Sequence, residues 1–145
     1  MSAEAYNAQI TANQQAILTY QNEIGELENK ISELTAMKGK ISSMQDELSN
    51  VSDREYRKLE SDIPFLNPRF LGKLQEMIKG NVYRSAQDGL QTSQNIIQNK
   101  INELNRKIEE DYQAINRCRA QISSLEAQKA ALLAAEAQKV AETSV

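Results

Sequence analysis

The chain has 145 residues, of which 40% are hydrophobic but only 5% aromatic, which is thin for a rounded core and suits a two-layer helix contact instead. Its 17 basic and 20 acidic residues give a net charge of −3, arguing against a nucleic-acid binder or an electrostatic membrane anchor. With no His and a single Cys, it lacks the commonest acid–base and metal-binding side chain and cannot form an internal disulfide.

The opening residues MSAEAYNAQITANQQ are polar, so no cleaved signal peptide is expected. No run of about 18 apolar residues follows anywhere, so no membrane span is expected. The expected location is the cytoplasm, with export alongside a partner as the route that needs no cleaved signal.

Residues 1–51 read as a first long helix. Ile10, Ile17, Ile24 and Ile31 fall seven apart, and Tyr20, Leu27 and Leu34 stand three residues after the last three of them. These are the a and d positions of a heptad. After Leu34 the apolar residues are Met37, Ile41, Met44, Leu48 and Val51, as if the seam drifts by part of a turn.

Residues 52–80 read as a helical elbow. Ser52-Asp53-Arg54-Glu55 has the form of a capping box, which predicts that a short helix restarts there. Pro64 disfavours helix in Ile63, and Asn67-Pro68 reads as an N-cap followed by Pro in the first turn. The hinge positions are Pro64, Phe65, Pro68, Phe70, Gly72, Ile78 and Gly80. Both Phe residues sit in an apolar cluster running from Ile63 through Leu66, Leu71, Leu74 and Met77 to Val82. That cluster reads first as a plug locking the elbow, with a partner-binding tip as the sharper alternative.

Residues 81–138 read as a second long helix and 139–145 as a flexible tail. Ile101, Ile108, Ile115 and Ile122 are again seven apart, with Leu104, Cys118, Leu125 and Leu132 at matching positions. Asp111 interrupts that row, and a dry carboxylate is costly, so it is expected near solvent or paired. Pairing Ile10 with Ile122, Ile17 with Ile115, Ile24 with Ile108 and Ile31 with Ile101 centres the reversal on Leu66, beside the two prolines. Periodicity and breakers thus choose the same hinge, to within half a heptad. Arms of roughly 45 residues would be about 70 Å long.

The expected fold is therefore all-α: an elongated antiparallel helical hairpin of coiled-coil type. The seams either close this hairpin on itself or wait for a second hairpin that completes a four-helix bundle. The partner-binding seam would be Ile10, Ile17, Tyr20, Ile24, Leu27, Ile31 and Leu34 with Ile101, Leu104, Ile108, Ile115, Ile122 and Leu125.

The chemistry-bearing side chains form no motif. Consecutive Glu109, Glu110 and Asp111 point apart on a helix and read as a solvated face. Arg54, Arg57 and Lys58 read as a surface patch, and Cys118 as a small hydrophobe of the seam. There is no phosphate loop, no metal-ligand spacing and no Ser-centred motif. No catalytic residue, metal or cofactor is expected.

This layout, with Gly80 before Asn81-Val82-Tyr83 and a first arm containing Ile24-Gly25-Glu26-Leu27-Glu28-Asn29-Lys30-Ile31-Ser32-Glu33-Leu34, resembles the WXG-type helical hairpins of type VII (ESX) secretion. It looks most like the YwqH-like small proteins of Gram-positive bacteria, which bind the helical N-terminal domains of LXG toxins. Either Ile78-Lys79-Gly80 or Phe70-Leu71-Gly72-Lys73 could stand where the family has Trp-x-Gly, with Gly80 preferred; the chain has no Trp. The family's Tyr-x-x-x-Asp/Glu export tag is absent, since Asn116 follows Tyr112 and Gln87 follows Tyr83 at that spacing. The resemblance implies a non-enzymatic accessory, a chaperone or targeting factor, whose partner is a toxin N-terminal domain or another small helical protein. The alternatives are a homo-oligomeric coiled-coil scaffold and a prefoldin-like holdase.

Overall fold

The computed structural model describes residues 1–144. Three α-helices follow one another: α1 (Ala3–Asp62), α2 (Pro68–Lys79) and α3 (Asn81–Thr143), with one 3-10 turn at Ile63–Phe65 between the first two. Among the described residues there is no strand.

The Ser2 hydroxyl opens α1 by accepting from the Ala5 amide at 3.1 Å. No proline then interrupts the chain before Pro64, and α1 runs unbroken past Val51 to Asp62. The restart predicted at Ser52 is not there. Ser52 is buried, and its hydroxyl donates to the carbonyl of Ile78 at 2.6 Å instead of capping a new helix. The reversal is confined to the prolines. Pro64 stands in the first turn of the 3-10 segment, and Leu66 leaves it extended. Asn67 caps α2 as its sequence indicates, accepting from the Arg69 amide at 2.9 Å with Pro68 in the first turn. At the other end, α3 continues through Thr143, so residues 139–143 are helical where a tail was expected; Val145 lies outside the described residues. The Ala-rich sequence explains this, Ala being the strongest helix former.

Two compact units divide the chain, and each contains part of both long helices. The first comprises Met1–Lys30 and the chain from Leu104 onward. There α1 and α3 are antiparallel: Gln9 and Asn13 lie beside Gln121, Ser124 and Leu125, and Glu23 faces Asp111. Its buried side chains are Ile10, Ile24 and Leu27 on α1, and Leu104, Ala114 and Ile115 on α3. Ile115 is the most enclosed of them, with 2% of its surface exposed.

The second unit, Ile31–Glu103, is a complete helical hairpin containing the reversal. Lys38 reaches Gln98 at 2.8 Å, and Gln45 reaches Gln91 one heptad further along α1 and one heptad back along α3. Ile97, Ile101 and Leu59 are buried here, while Leu71, Leu74 and Ile78 give α2 a half-buried face.

Candidate partner-binding surface

The Ile and Leu residues proposed as a partner seam are placed mostly between α1 and α3. Ile10, Ile24, Leu27, Ile101, Leu104 and Ile115 are buried, and Ile17, Tyr20, Ile31, Leu34, Ile108, Ile122 and Leu125 are half-buried. The row therefore closes each unit on itself, which was one of the two uses its periodicity allowed. A partner that contacted it directly would have to separate the helices.

Beyond Leu34 the seam does not drift. The inward row keeps its seven-residue step through Ile31, Lys38, Gln45, Ser52 and Leu59, of which the first three are half-buried and the last two buried. On α3 the Ile101 row continues through Gln94, which is buried, and Gln87, which is half-buried, to Gly80, which is buried. Polar side chains can occupy these places because each finds a partner. The Gln94 amide donates to Gln45 Oε1, the Gln87 amide donates to the Gln45 carbonyl at 3.1 Å, and Lys38 donates to Gln98. Apolar periodicity could not reveal this row; counting on from Ile31 and back from Ile101 by sevens finds it.

The consequence lies on the outer face of α1. Met37 is 51% exposed, Met44 53% and Val51 44%. Ile41 and Leu48, which continue the Leu27 and Leu34 row by sevens, are half-buried. Two adjoining grooves run beside this stripe. One is lined by Met44, Glu47, Leu48, Val51 and Leu90, the other by Leu48, Val51, Met77, Ile78, Val82 and Tyr83 among others. The second unit thus presents an apolar strip that crosses from α1 onto α2 and the start of α3.

The apolar cluster at the reversal is not a plug. Phe65 is 86% exposed, and Ile63, Phe70, Met77 and Val82 are exposed too, whereas Leu66, Leu71, Leu74 and Ile78 are half-buried. A helix of only 12 residues half-buries one face, and Phe70 and Met77 lie on the other. The hinge positions Pro64, Pro68 and Gly72 are exposed as well. Gly72 has open space around it, whereas a side chain at Gly80 would run into the Glu76 carbonyl oxygen and carboxyl group. That carboxyl accepts from the Asn81 amide at 2.8 Å, tying the end of α2 to the start of α3.

Electrostatics is informative at two places. Lys79 pairs with Asp53 and lies 5.8 Å from the Tyr56 ring centre. The hydrogen bond and the charge of Lys79 hold the Asp53 carboxyl below its ordinary value; the hydrogen bond that Lys79 donates to Asp53 raises Lys79. In the first unit, Asp111 was expected near solvent or paired. It is buried and faces Glu23, and its Oδ2 meets no donor among the described residues. The charge of Asp111, then partial burial and the hydrogen bond a shared proton makes, raise the Glu23 carboxyl above its ordinary value; Glu26 adds to the rise and Lys107 opposes it. Cys118 is a half-buried free thiol.

Among the described residues no group of three or more His, Cys, Asp or Glu side chains could hold a metal ion, and no helix is long and apolar enough to cross a membrane. Comparison with family models, with curated proteins and with solved structures finds no match for the chain.

Proposed function

We propose that the chain is a non-catalytic helical accessory, a chaperone or targeting factor that binds the helical N-terminal domain of an LXG-type toxin for type VII secretion. The observation that carries a binding role is the apolar strip of the second unit: Met37, Met44, Val51, Met77 and Val82 stay exposed after the seam has closed. Exposed apolar strips of this kind mark interaction sites. The resemblance to the YwqH-like hairpins supplies the toxin domain as the client. A further pair of client helices laid on the hairpin would complete a four-helix bundle and bury what two helices leave in water. No chemical step is involved.

The test is the mass of the purified chain by light scattering, alone and mixed with an LXG-type N-terminal domain. A defined hetero-complex is the expected result. A stable homodimer indifferent to the toxin domain would overturn the reading and favour the homo-oligomeric scaffold, which would cover the same strip with a second copy. A prefoldin-like holdase ranks below both, because it carries β-hairpins between its arms, where this chain has the 3-10 turn and α2.

A further inference from the structure

The charges beside the exposed Met37, Met44 and Val51 form a row that is its own complement. Glu33, Lys40, Glu47 and Arg54 stand seven apart on α1, and all four are exposed. Glu33, Lys40 and Glu47 each lie four residues before one of the three apolar side chains, so the two rows run side by side on the helix. Glu47 lines one groove with Met44 and Val51. Glu33, Lys40 and Glu47 have no ion-pair partner among the described residues, and Arg54 touches only its neighbour Glu55, at 3.8 Å.

The signs alternate: minus, plus, minus, plus. A row of four alternating charges, turned end to end, meets itself with every sign opposed. The centre of that reversal lies between Ser43 and Met44. A second copy laid antiparallel about this point sets Lys40 against Glu47 and Glu33 against Arg54, and two-fold symmetry repeats both pairs. The same operation brings Met44 beside Met44 and Met37 beside Val51, to within about one residue step of 1.5 Å. A parallel copy turns the charged row to the far border of the strip, away from its counterpart. Lys30 and Lys58 end the apolar row on either side. In the antiparallel arrangement they meet each other beyond the last charge pair, which limits the contact to the stretch between them. Charges flanking a helix contact set partner and orientation, and here the partner that carries the matching code is the chain itself.

We infer that the Met37–Val51 face of α1 is a homodimer interface, an antiparallel contact of α1 with α1 of a second copy whose two-fold axis passes between Ser43 and Met44. From Glu33 to Arg54 the contact is about 32 Å long on one helix. That is small for a specific interface, so the dimer is concentration-dependent and the dilute chain is monomeric. The inference goes beyond the accessory role and stands without it. A client seated on the same strip and the second copy exclude one another.

The experiment is sedimentation equilibrium of the full chain at low salt over a concentration series. A reversible monomer–dimer equilibrium is expected. Lys40→Glu alone and Glu47→Lys alone each oppose like charges at two places and should weaken the dimer at least about tenfold. An equimolar mixture of the two variants opposes Glu to Lys at both places, and so does the double variant Lys40→Glu/Glu47→Lys with itself, so each should recover the parent's affinity. Met44→Lys puts two ammonium groups at the axis and should abolish the dimer. The helical circular dichroism of every variant should match the parent, because the three positions are exposed. A chain that stays monomeric up to about 1 mM overturns the inference. So does a dimer that survives Met44→Lys, or a mixture of the two charge variants that associates no better than either alone. The two readings fail separately. A charge-coded dimer that an LXG-type N-terminal domain does not dissociate keeps this interface and removes the client; a monomer that binds the toxin domain removes the interface and leaves the client.

Discussion

The side-chain amide of Gln94 donates to Oε1 of Gln45 across the contact between α1 and α3, at 2.6 Å. Gln94 is buried and Gln45 half-buried; on α3 the Ile101 row begins one heptad after Gln94, and on α1 Lys38 separates Gln45 from Ile31. The pair sits in the polar stretch between the aliphatic Ile rows of α1 and α3, and its geometry is satisfied in only one register. Gln45→Leu leaves the buried Gln94 amide without its acceptor and is expected to cost about 1–3 kcal/mol. Gln45→Leu/Gln94→Leu removes both partners and should recover most of that loss, since matched apolar replacements of a buried polar pair are often neutral or stabilising. Urea denaturation of the two single variants and the double variant checks this; additive losses would mean that the two amides are not coupled.

The same layer shows where sequence reading stops. The aliphatic rows from Ile10 to Ile31 and from Ile101 to Ile122 announce themselves, because Ile recurring every seven residues puts a branched apolar stripe on one face of a helix. Pro64 and Asn67-Pro68 announce the reversal just as plainly, because a missing donor and a cap are local facts. Lys38, Gln45 and Ser52 do not, because their burial depends on partners contributed by Gln98, Gln94 and Ile78 from 26 to 60 residues away. The apolar residues one position away, Met37, Met44 and Val51, drew the expected seam onto the outer face. Asp111 was misplaced for a related reason: hydrophobicity cannot tell that its neighbour across the helices is another carboxylate.

Burial separates two residues that look alike in the sequence pattern. Ile115 is 2% exposed and Met44 is 53% exposed. Ile115→Ala should destabilise the chain by about 2–5 kcal/mol through lost packing and the cavity left behind. Met44→Ala should change stability by less than about 0.5 kcal/mol, as surface substitutions do. Chemical denaturation of both variants is the check, and a similar loss in each would contradict the exposed placement of the Met44 row.

The two glycines of the reversal should also respond differently. A Cβ at Gly80 collides with the Glu76 carbonyl, a backbone atom that cannot swing aside, so Gly80→Ala must shift the junction of α2 and α3. The expected cost is about 1–3 kcal/mol. Gly72 lies inside α2 with nothing within 4 Å of an added Cβ, so Gly72→Ala should stabilise by about 0.4–1 kcal/mol. Thermal melts of the two variants decide the matter. Equal and opposite behaviour, with Gly72→Ala the harmful one, would place the tight position on the wrong glycine.

Acid should strengthen the first unit. Glu23 has its carboxyl raised above the ordinary 4.5 by the facing Asp111, with Glu26 adding to the repulsion and Lys107 opposing it. A folded value above the unfolded one means that the folded chain binds the proton more tightly. The favourable contribution is then full below the ordinary value and is lost as pH rises through the raised one. Glu23→Gln removes the charge while keeping a hydrogen-bonding side chain. It should therefore be more stable than the parent at about pH 7, with the advantage shrinking as pH falls towards about 4. Melts of parent and variant across that range test the coupling, and Asp111→Asn supplies an independent check, since it should flatten the same dependence from the other side of the pair. Parallel pH profiles for parent and Glu23→Gln would mean that the two carboxyls titrate independently and that the facing geometry has no energetic consequence.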